Sequence, residues 1–170
     1  VGYSVQSHHI NKLPSVNHPT GKTRYLIQDS IEGWSNALKF LLKSYFFGGY
    51  HPQFDYGDIR LKGEPIKKSG GISAGSEPLR KSLENVDSVL KRAVGRKLST
   101  IEAHDICCFM SECVYSGGVR EAAMISLFDN DDESMIKSKS IFGVDDLTVC
   151  GSNKDGTFKC SIKCSDSWGW

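Results

Sequence analysis

Residues Ser116-Gly-Gly-Val-Arg-Glu-Ala-Ala-Met-Ile-Ser-Leu127 set two glycines and an arginine between a stretch of helical periodicity and an apolar run. Gly117 and Gly118 accept positive φ and leave room for a ligand against the backbone. Val119 follows them, and Arg120 offers a planar, permanently charged donor fork that matches phosphates and base edges. The chemistry suited to such a turn is nucleotide binding. A second reading is structural, with Gly-Gly ending a helix and Arg120 lying on the surface. Of the six cysteines, Cys107, Cys108 and Cys113 share a helical stretch and read as buried thiols of a reducing compartment. Cys150, Cys160 and Cys164 lie in a tail where a zinc site would need a fourth ligand. His8, His9 and His104 read as ordinary surface or helix histidines.

The elements that must position these groups follow from periodicity. Val1 to Gln6 and Tyr25 to Gln28 have the pattern of short strands. Asp29 and Ser30 can each cap a helix in which Ile31, Trp34, Leu38, Leu41 and Tyr45 recur at steps of three and four until Gly48-Gly49. The proline- and glycine-rich stretch from Tyr50 to Gly75 predicts mostly loop. Ser76, with Pro78 just inside, opens a helix whose Leu79, Leu83, Val86, Leu90 and Ala93 form one apolar face before Gly95. Ser99-x-x-Glu102 is a capping box for a third helix, which buries Ile106, Phe109, Met110 and Cys113 and runs to Gly117. Ala122 to Leu127 predicts a strand buried on both faces, and Asp129 to Asp132 caps a short helix reaching about Lys139. Strand, helix, loop, helix, helix, strand indicates an α/β architecture.

A chain of 170 residues supports one core. With 21 basic against 20 acidic residues, it has no overall field for gathering nucleic acid or an anionic membrane. The apolar stretch from Phe40 to Phe47 is too short to span a bilayer, and no signal-like amino terminus precedes it. The expectation is a cytoplasmic protein, and the initial Val suggests a start inside a longer one, an alternative start codon being the other reading.

Several separated motifs carry a resemblance. They are Gly70-Gly-Ile-Ser-Ala-Gly-Ser-Glu-Pro-Leu79, Gly95-Arg-Lys-Leu98, His104-Asp-Ile-Cys-Cys108 and Ser116-Gly-Gly-Val-Arg-Glu-Ala-Ala-Met-Ile-Ser126. Val1-Gly-Tyr-Ser-Val-Gln6, Asp29-Ser-Ile-Glu-Gly-Trp34 and Phe54-Asp-Tyr-x3-Arg-x-Lys-Gly63 agree with them. In order and spacing, residues 1 to 140 resemble the central region of adenosylcobalamin-dependent (class II) ribonucleotide reductases, whereas 141 to 170 form an unrelated or poorly ordered tail. The resemblance implies part of a ten-stranded α/β barrel with effector-binding helices and an irregular carboxyl-terminal tail. It also implies an enzyme that replaces the ribose 2′-hydroxyl of a ribonucleoside triphosphate or diphosphate with hydrogen, for DNA synthesis.

The turn matching Ser116 to Ala122 resembles the specificity loop between a deoxynucleotide effector and the ribonucleotide substrate, which assigns Gly117, Gly118, Val119 and Arg120 to effector binding. Lys68, Gly70, Gly71 and Ser73 fall in a loop similar to the companion effector loop, whose glycines would turn backbone N–H groups toward phosphates. Asp29 and Ser30 match positions near the effector ribose and base, with a plain N-cap pair as the alternative. Adenosylcobalamin and a thioredoxin-type reductant belong to the complete enzyme, whose remaining segments would be partners of this chain. No cofactor is expected on this chain alone.

Two departures qualify the resemblance. Glu121 stands where a second basic residue is expected, which weakens phosphate affinity there. The resemblance also implies a redox cysteine pair whose first member lies before the position matching Val1 and an Asn-x-Cys-x-Glu type motif far downstream; the given sequence contains no Cys-x-Glu, so this chain alone is expected to be inactive. An interrupted reductase gene would explain the abrupt end of the pattern near Ser140. The alternative is a free-standing nucleotide-binding or thiol redox module that uses its tail cysteines.

Overall fold

The computed structural model describes residues 1–66, 71–113, 115–116, 119–120, 124–138, 151–152 and 158–159. Its elements run β1 (Gly2–Ser4), α1 (Ser7–Ile10), β2 (Gly21–Leu26), α2 (Ile31–Phe46), β3 (Tyr50–Asp55), α3 (Glu77–Ala93) and α4 (Thr100–Glu112). There follow β4 (Tyr115–Ser116), β5 (Val119–Arg120), β6 (Ile125–Leu127), α5 (Glu133–Lys137), β7 (Gly151–Ser152) and β8 (Phe158–Lys159). The expected α/β class is found. Among the described residues the strands form four two-stranded sheets, β1 with β6 and β2 with β3 in parallel, β4 with β5 and β7 with β8 antiparallel. Parallel pairs need long crossovers, which α2 supplies between β2 and β3.

One core joins these elements. Ile27, Ala37, Leu41, Tyr45, Leu79, Leu83, Val86, Leu90 and Ala93 are buried together, with Val16 among them. All five apolar positions expected on α3 lie inside. Val16 reaches the core because its N–H donates to Arg96 O and its carbonyl accepts from Gly95 N–H, which clamps the α3–α4 turn. Gly95 itself has φ 87°, the left-handed conformation that ends a helix at little cost for glycine.

The capping box forms as expected: Ser99 Oγ accepts from Glu102 N–H, and the Glu102 carboxylate accepts from Ser99 N–H. Arg96 adds a two-pronged grip on the same carboxylate, at 2.6 and 2.7 Å. That guanidinium, helped by Ser99, pulls the Glu102 carboxyl down to about 2. Asp132 caps α5 by accepting from Ser134 N–H and Met135 N–H.

Four expectations need correction. The stretch from Tyr50 is not mostly loop at its start, because β3 pairs with β2 over six residues despite Pro52. Asp55 accepts from Ile27 N–H, so alternate residues of β3 face β2 and Pro52 falls in the set whose amide position points away, where a missing N–H loses no ladder bond. The strand expected from Ala122 to Leu127 and buried on both faces is open where it is described: Ala122 and Ala123 lie outside the described residues, and in β6 Ile125 is 69% and Leu127 45% exposed. Its apolar composition implied partners on two sides, and among the described residues it has β1 alone. The third helix stops at Glu112 rather than Gly117, and Cys107 and Cys108 are half-buried while Cys113 is buried. Finally, Ile31 is 87% exposed, so the buried stripe of α2 runs through Gly33, Ala37, Leu41 and Tyr45. Trp34 packs against the core from the side, as a core residue should.

Candidate functional site

In an open parallel sheet, ligands gather beyond the carboxyl ends of the strands. Beyond β2 the chain continues through buried Ile27 to Gln28, Asp29 and Ser30 at the head of α2. Beyond β3 it runs from Asp55 through Tyr56 and buried Ile59 to Arg60. These two exits meet: Arg60 Nε donates to Asp29 Oδ2 at 2.6 Å, with both side chains about seven-tenths covered. The pairing leaves Asp29 Oδ1 with acceptor capacity, since a carboxylate takes about four hydrogen bonds.

Ser30 is the N-cap of α2, and its Oγ accepts from Gly33 N–H at 2.9 Å. The capping reading of Ser30 is thus realised, and its neighbour Asp29 turns instead to Arg60. Gly33 explains why the turn is so tight. A Cβ there would lie 2.4 Å from Gln28 O, so the first turn of α2 rests directly on the backbone leaving β2.

Arg60 also donates to Pro65 O at 3.4 Å, and this carries the connection into the glycine-rich segment. Pro65 bridges antiparallel to Ile72, Ile66 N–H donates to Gly71 O, and Ser73 N–H donates to Glu64 O. Residues 63–66 and 71–75 are therefore two legs of one turned-back segment. Gly71 and Ser73 stand on the returning leg; Lys68 and Gly70 lie outside the described residues. Ser73 is buried, and its Oγ accepts from Gly75 N–H at 3.0 Å. Its polar groups serve the turn itself. Gly75 takes φ 78° and packs so closely that a Cβ would come within 3.2 Å of Lys62 N.

The arginine turn is described by backbone alone. β4 and β5 pair antiparallel with Tyr115 opposite Arg120 and Ser116 opposite Val119. Gly117 and Gly118, which join them in sequence, lie outside the described residues. The tail cysteines Cys150, Cys160 and Cys164 lie outside them too.

Two groups escaped sequence reasoning. Arg60 is the hub of the site, and its signal was the spacing Phe54-Asp-Tyr-x3-Arg, which sets it just past a strand. His104 joins two elements: Tyr3 Oη on β1 lies 2.8 Å from its Nδ1, and Cys108 Sγ, one turn along α4, lies 3.4 Å from its Nε2. Burial, with these thiols nearby, pushes the Tyr3 phenol up to about 12. Spacing i, i+4 made the His104–Cys108 contact foreseeable, whereas the tyrosine comes from 101 residues away.

No family model matches the chain. It is 38% identical over 116 residues to a probable adenosylcobalamin-dependent ribonucleoside-triphosphate reductase of Dictyostelium discoideum, a match covering 68% of this chain and 15% of that protein. It is 34% identical over 121 residues to the adenosylcobalamin-dependent ribonucleoside-triphosphate reductase of Lactobacillus leichmannii (68% of this chain, 16% of that one). With the Euglena gracilis reductase of the same name it shares 32% over 127 residues (75% and 17%). The chain thus spans 15 to 17% of the length of these curated relatives. Its structure resembles the crystal structure of a B12-dependent (class II) ribonucleotide reductase with a TM-score of 0.73 and 26% identity, over 82% of this chain and 24% of that one.

Proposed function

The chain belongs to the adenosylcobalamin-dependent ribonucleotide reductase family, aligning with one segment of it, and from that premise we propose that it supplies the effector-specificity elements of such an enzyme. The enzyme converts ribonucleoside triphosphates, or diphosphates, into deoxyribonucleotides for DNA synthesis in the cytoplasm, and draws electrons from a thioredoxin-type reductant. Residues 1–140 form part of a ten-stranded barrel, and residues 141–170 are a tail whose sequence does not follow the family pattern. Adenosylcobalamin, on which the named relatives depend, supplies the radical in the assembled enzyme. The polar groups of this segment are of another kind: a carboxylate, hydroxyls and guanidinium groups, which suit the ribose and phosphates of a deoxynucleotide.

The observation that carries this reading is the Asp29–Arg60 pair, where two parallel strands discharge their chains toward one point. Asp29 and Ser30 approach the effector ribose and base. The glycine-rich segment with Lys68, Gly70, Gly71 and Ser73 turns toward its phosphates. Gly117, Gly118, Val119 and Arg120 form the loop that reports effector identity to the substrate base. Binding of deoxynucleoside triphosphates to the purified chain, measured by calorimetry, tests this. Saturable binding lost in Arg120→Ala and in Arg60→Ala supports it; binding unchanged in Arg120→Ala removes Arg120 from the effector loop.

A further inference from the structure

At the opposite, amino-terminal ends of β2 and β3 lies a concave pocket of about 390 Å3. The parallel register sets Lys22 beside His51, so their side chains share one face of the sheet. The loop before β2 adds His18 and Thr20, α3 adds Lys91, and Tyr45 forms part of the wall. Among the described residues, Asp87 of α3 is the acidic group that contacts this lining, and it is already held three times. Its Oδ1 accepts from Tyr45 Oη and pairs with His51 Nε2, each at 2.7 Å, while its Oδ2 holds Lys91 Nζ at 2.6 Å.

Asp87 therefore acts as an anchor beneath the pocket. Its side chain is 15% exposed, and it fixes His51 and Lys91 in the wall. Two lysines against one carboxylate leave a positive excess, and His18 and His51 add ring nitrogens to the lining. A concave, largely apolar surface with lysine and histidine side chains in its lining is suited to an oxyanion carried on a larger group.

The geometry points to a second anion site, specific for a phosphate group carried either as a free polyphosphate ion or by a nucleotide. It stands at the strand ends facing away from Asp29 and Arg60, so it is independent of the effector reading. Lys22 is exposed on the open face of β2, and its charge supports binding without supporting the core.

Calorimetry of the 170-residue chain with inorganic pyrophosphate and with adenosine monophosphate, at low ionic strength, tests the assignment. Saturable pyrophosphate binding is expected, weakened about tenfold by Lys22→Gln, the loss of one charge-assisted contact. His18→Gln should weaken it as well, and both variants should keep the unfolding midpoint of the parent. Equal affinity for the two probes assigns recognition to the phosphate alone, and tighter monophosphate binding assigns the carrier to a nucleotide. Absence of saturable pyrophosphate binding overturns the inference. So does binding that survives Lys22→Gln yet disappears in Arg120→Ala or Arg60→Ala, because the phosphate would then sit in the effector loops.

Discussion

Replacing Gly33 by alanine sets two physical effects against each other on α2. Helix propensity alone favours the change by about 1 kcal/mol, since glycine is the poorer helix former. Contact opposes it: the new Cβ would stand 2.4 Å from Gln28 O, 2.9 Å from Gln28 Cβ and 3.0 Å from Gln28 C. Ordinary carbon contacts fall near 3.5 Å or beyond, so something must move by roughly an ångström. The obstacle is backbone, and it cannot swing aside as a side-chain tip would. Moving it also strains the Ser30 N–H to Gln28 O bond, now 2.8 Å, whose loss is worth about 1 kcal/mol. Overpacking of this kind costs about 1–3 kcal/mol. The balance is a net destabilisation of about 1–3 kcal/mol. Urea unfolding followed by far-UV circular dichroism measures it, with Ser35→Ala on the exposed side of the same helix reporting propensity alone. Deoxynucleotide affinity of Gly33→Ala should fall as well, because Asp29 and Ser30 lie on the displaced turn. A Gly33→Ala chain as stable as the parent would refute the close contact between α2 and the exit of β2.

The Arg96–Glu102 pair makes stability depend on acid. Because the folded carboxyl is drawn from an ordinary 4.5 down to about 2, its contribution is full above pH 4.5 and is lost as pH falls toward 2. Arg96 is half exposed, so the contribution is about 1 kcal/mol after screening. Urea midpoints across that acid range should converge for the parent and Glu102→Gln, and parallel curves would contradict the assignment. Asp87→Asn should destabilise by about 2 kcal/mol, since Tyr45, His51 and Lys91 all lean on its two oxygens; an unchanged melting temperature would show that the anchor is dispensable. Exposed Phe47, Leu61 and Ile125, with strand edges left open, predict a broad, poorly cooperative thermal transition for the isolated chain and a tendency to associate. A sharp two-state melt of a monomer by scanning calorimetry would contradict that.

The features legible in the sequence were the local ones. The Ser99–Glu102 box, the apolar face of α3 and the cap at Ser30 depend on residues three or four apart, and each appears as spacing alone predicts. β3 was misread because Pro52 is a strong local signal for a loop, and only the partner strand reveals that its amide position needs no bond. β6 was misread in the other direction: its apolar residues point to covering layers that the described residues do not supply. The site divides in the same way. Asp29 and Ser30 stand out in the sequence as a capping pair, but nothing local says which of the two would turn toward Arg60, 31 residues away. Arg120 stood out by composition, and its neighbours in space cannot be inferred from its neighbours in sequence.

The path from Asp29 through Arg60 and Pro65 to Ile72 matters because it is continuous and short. A carboxylate at the head of a helix holds a guanidinium, and that guanidinium reaches the carbonyl at the base of the turned-back segment. A ligand engaging Asp29 must share the carboxylate with Arg60 or release it, and release would free the segment that Arg60 steadies. A ligand shifts such an arrangement only by its difference in affinity between the held and released forms. Arg60→Lys separates these roles, since lysine keeps the charge but loses the fork that spans Asp29 and Pro65. If the span carries the signal, Arg60→Lys should still bind a deoxynucleotide while no longer protecting the backbone amides of Gly63, Glu64 and Ile66 from hydrogen exchange on binding. Equal protection in the variant and the parent would show that charge alone suffices, and that the link through Pro65 is incidental.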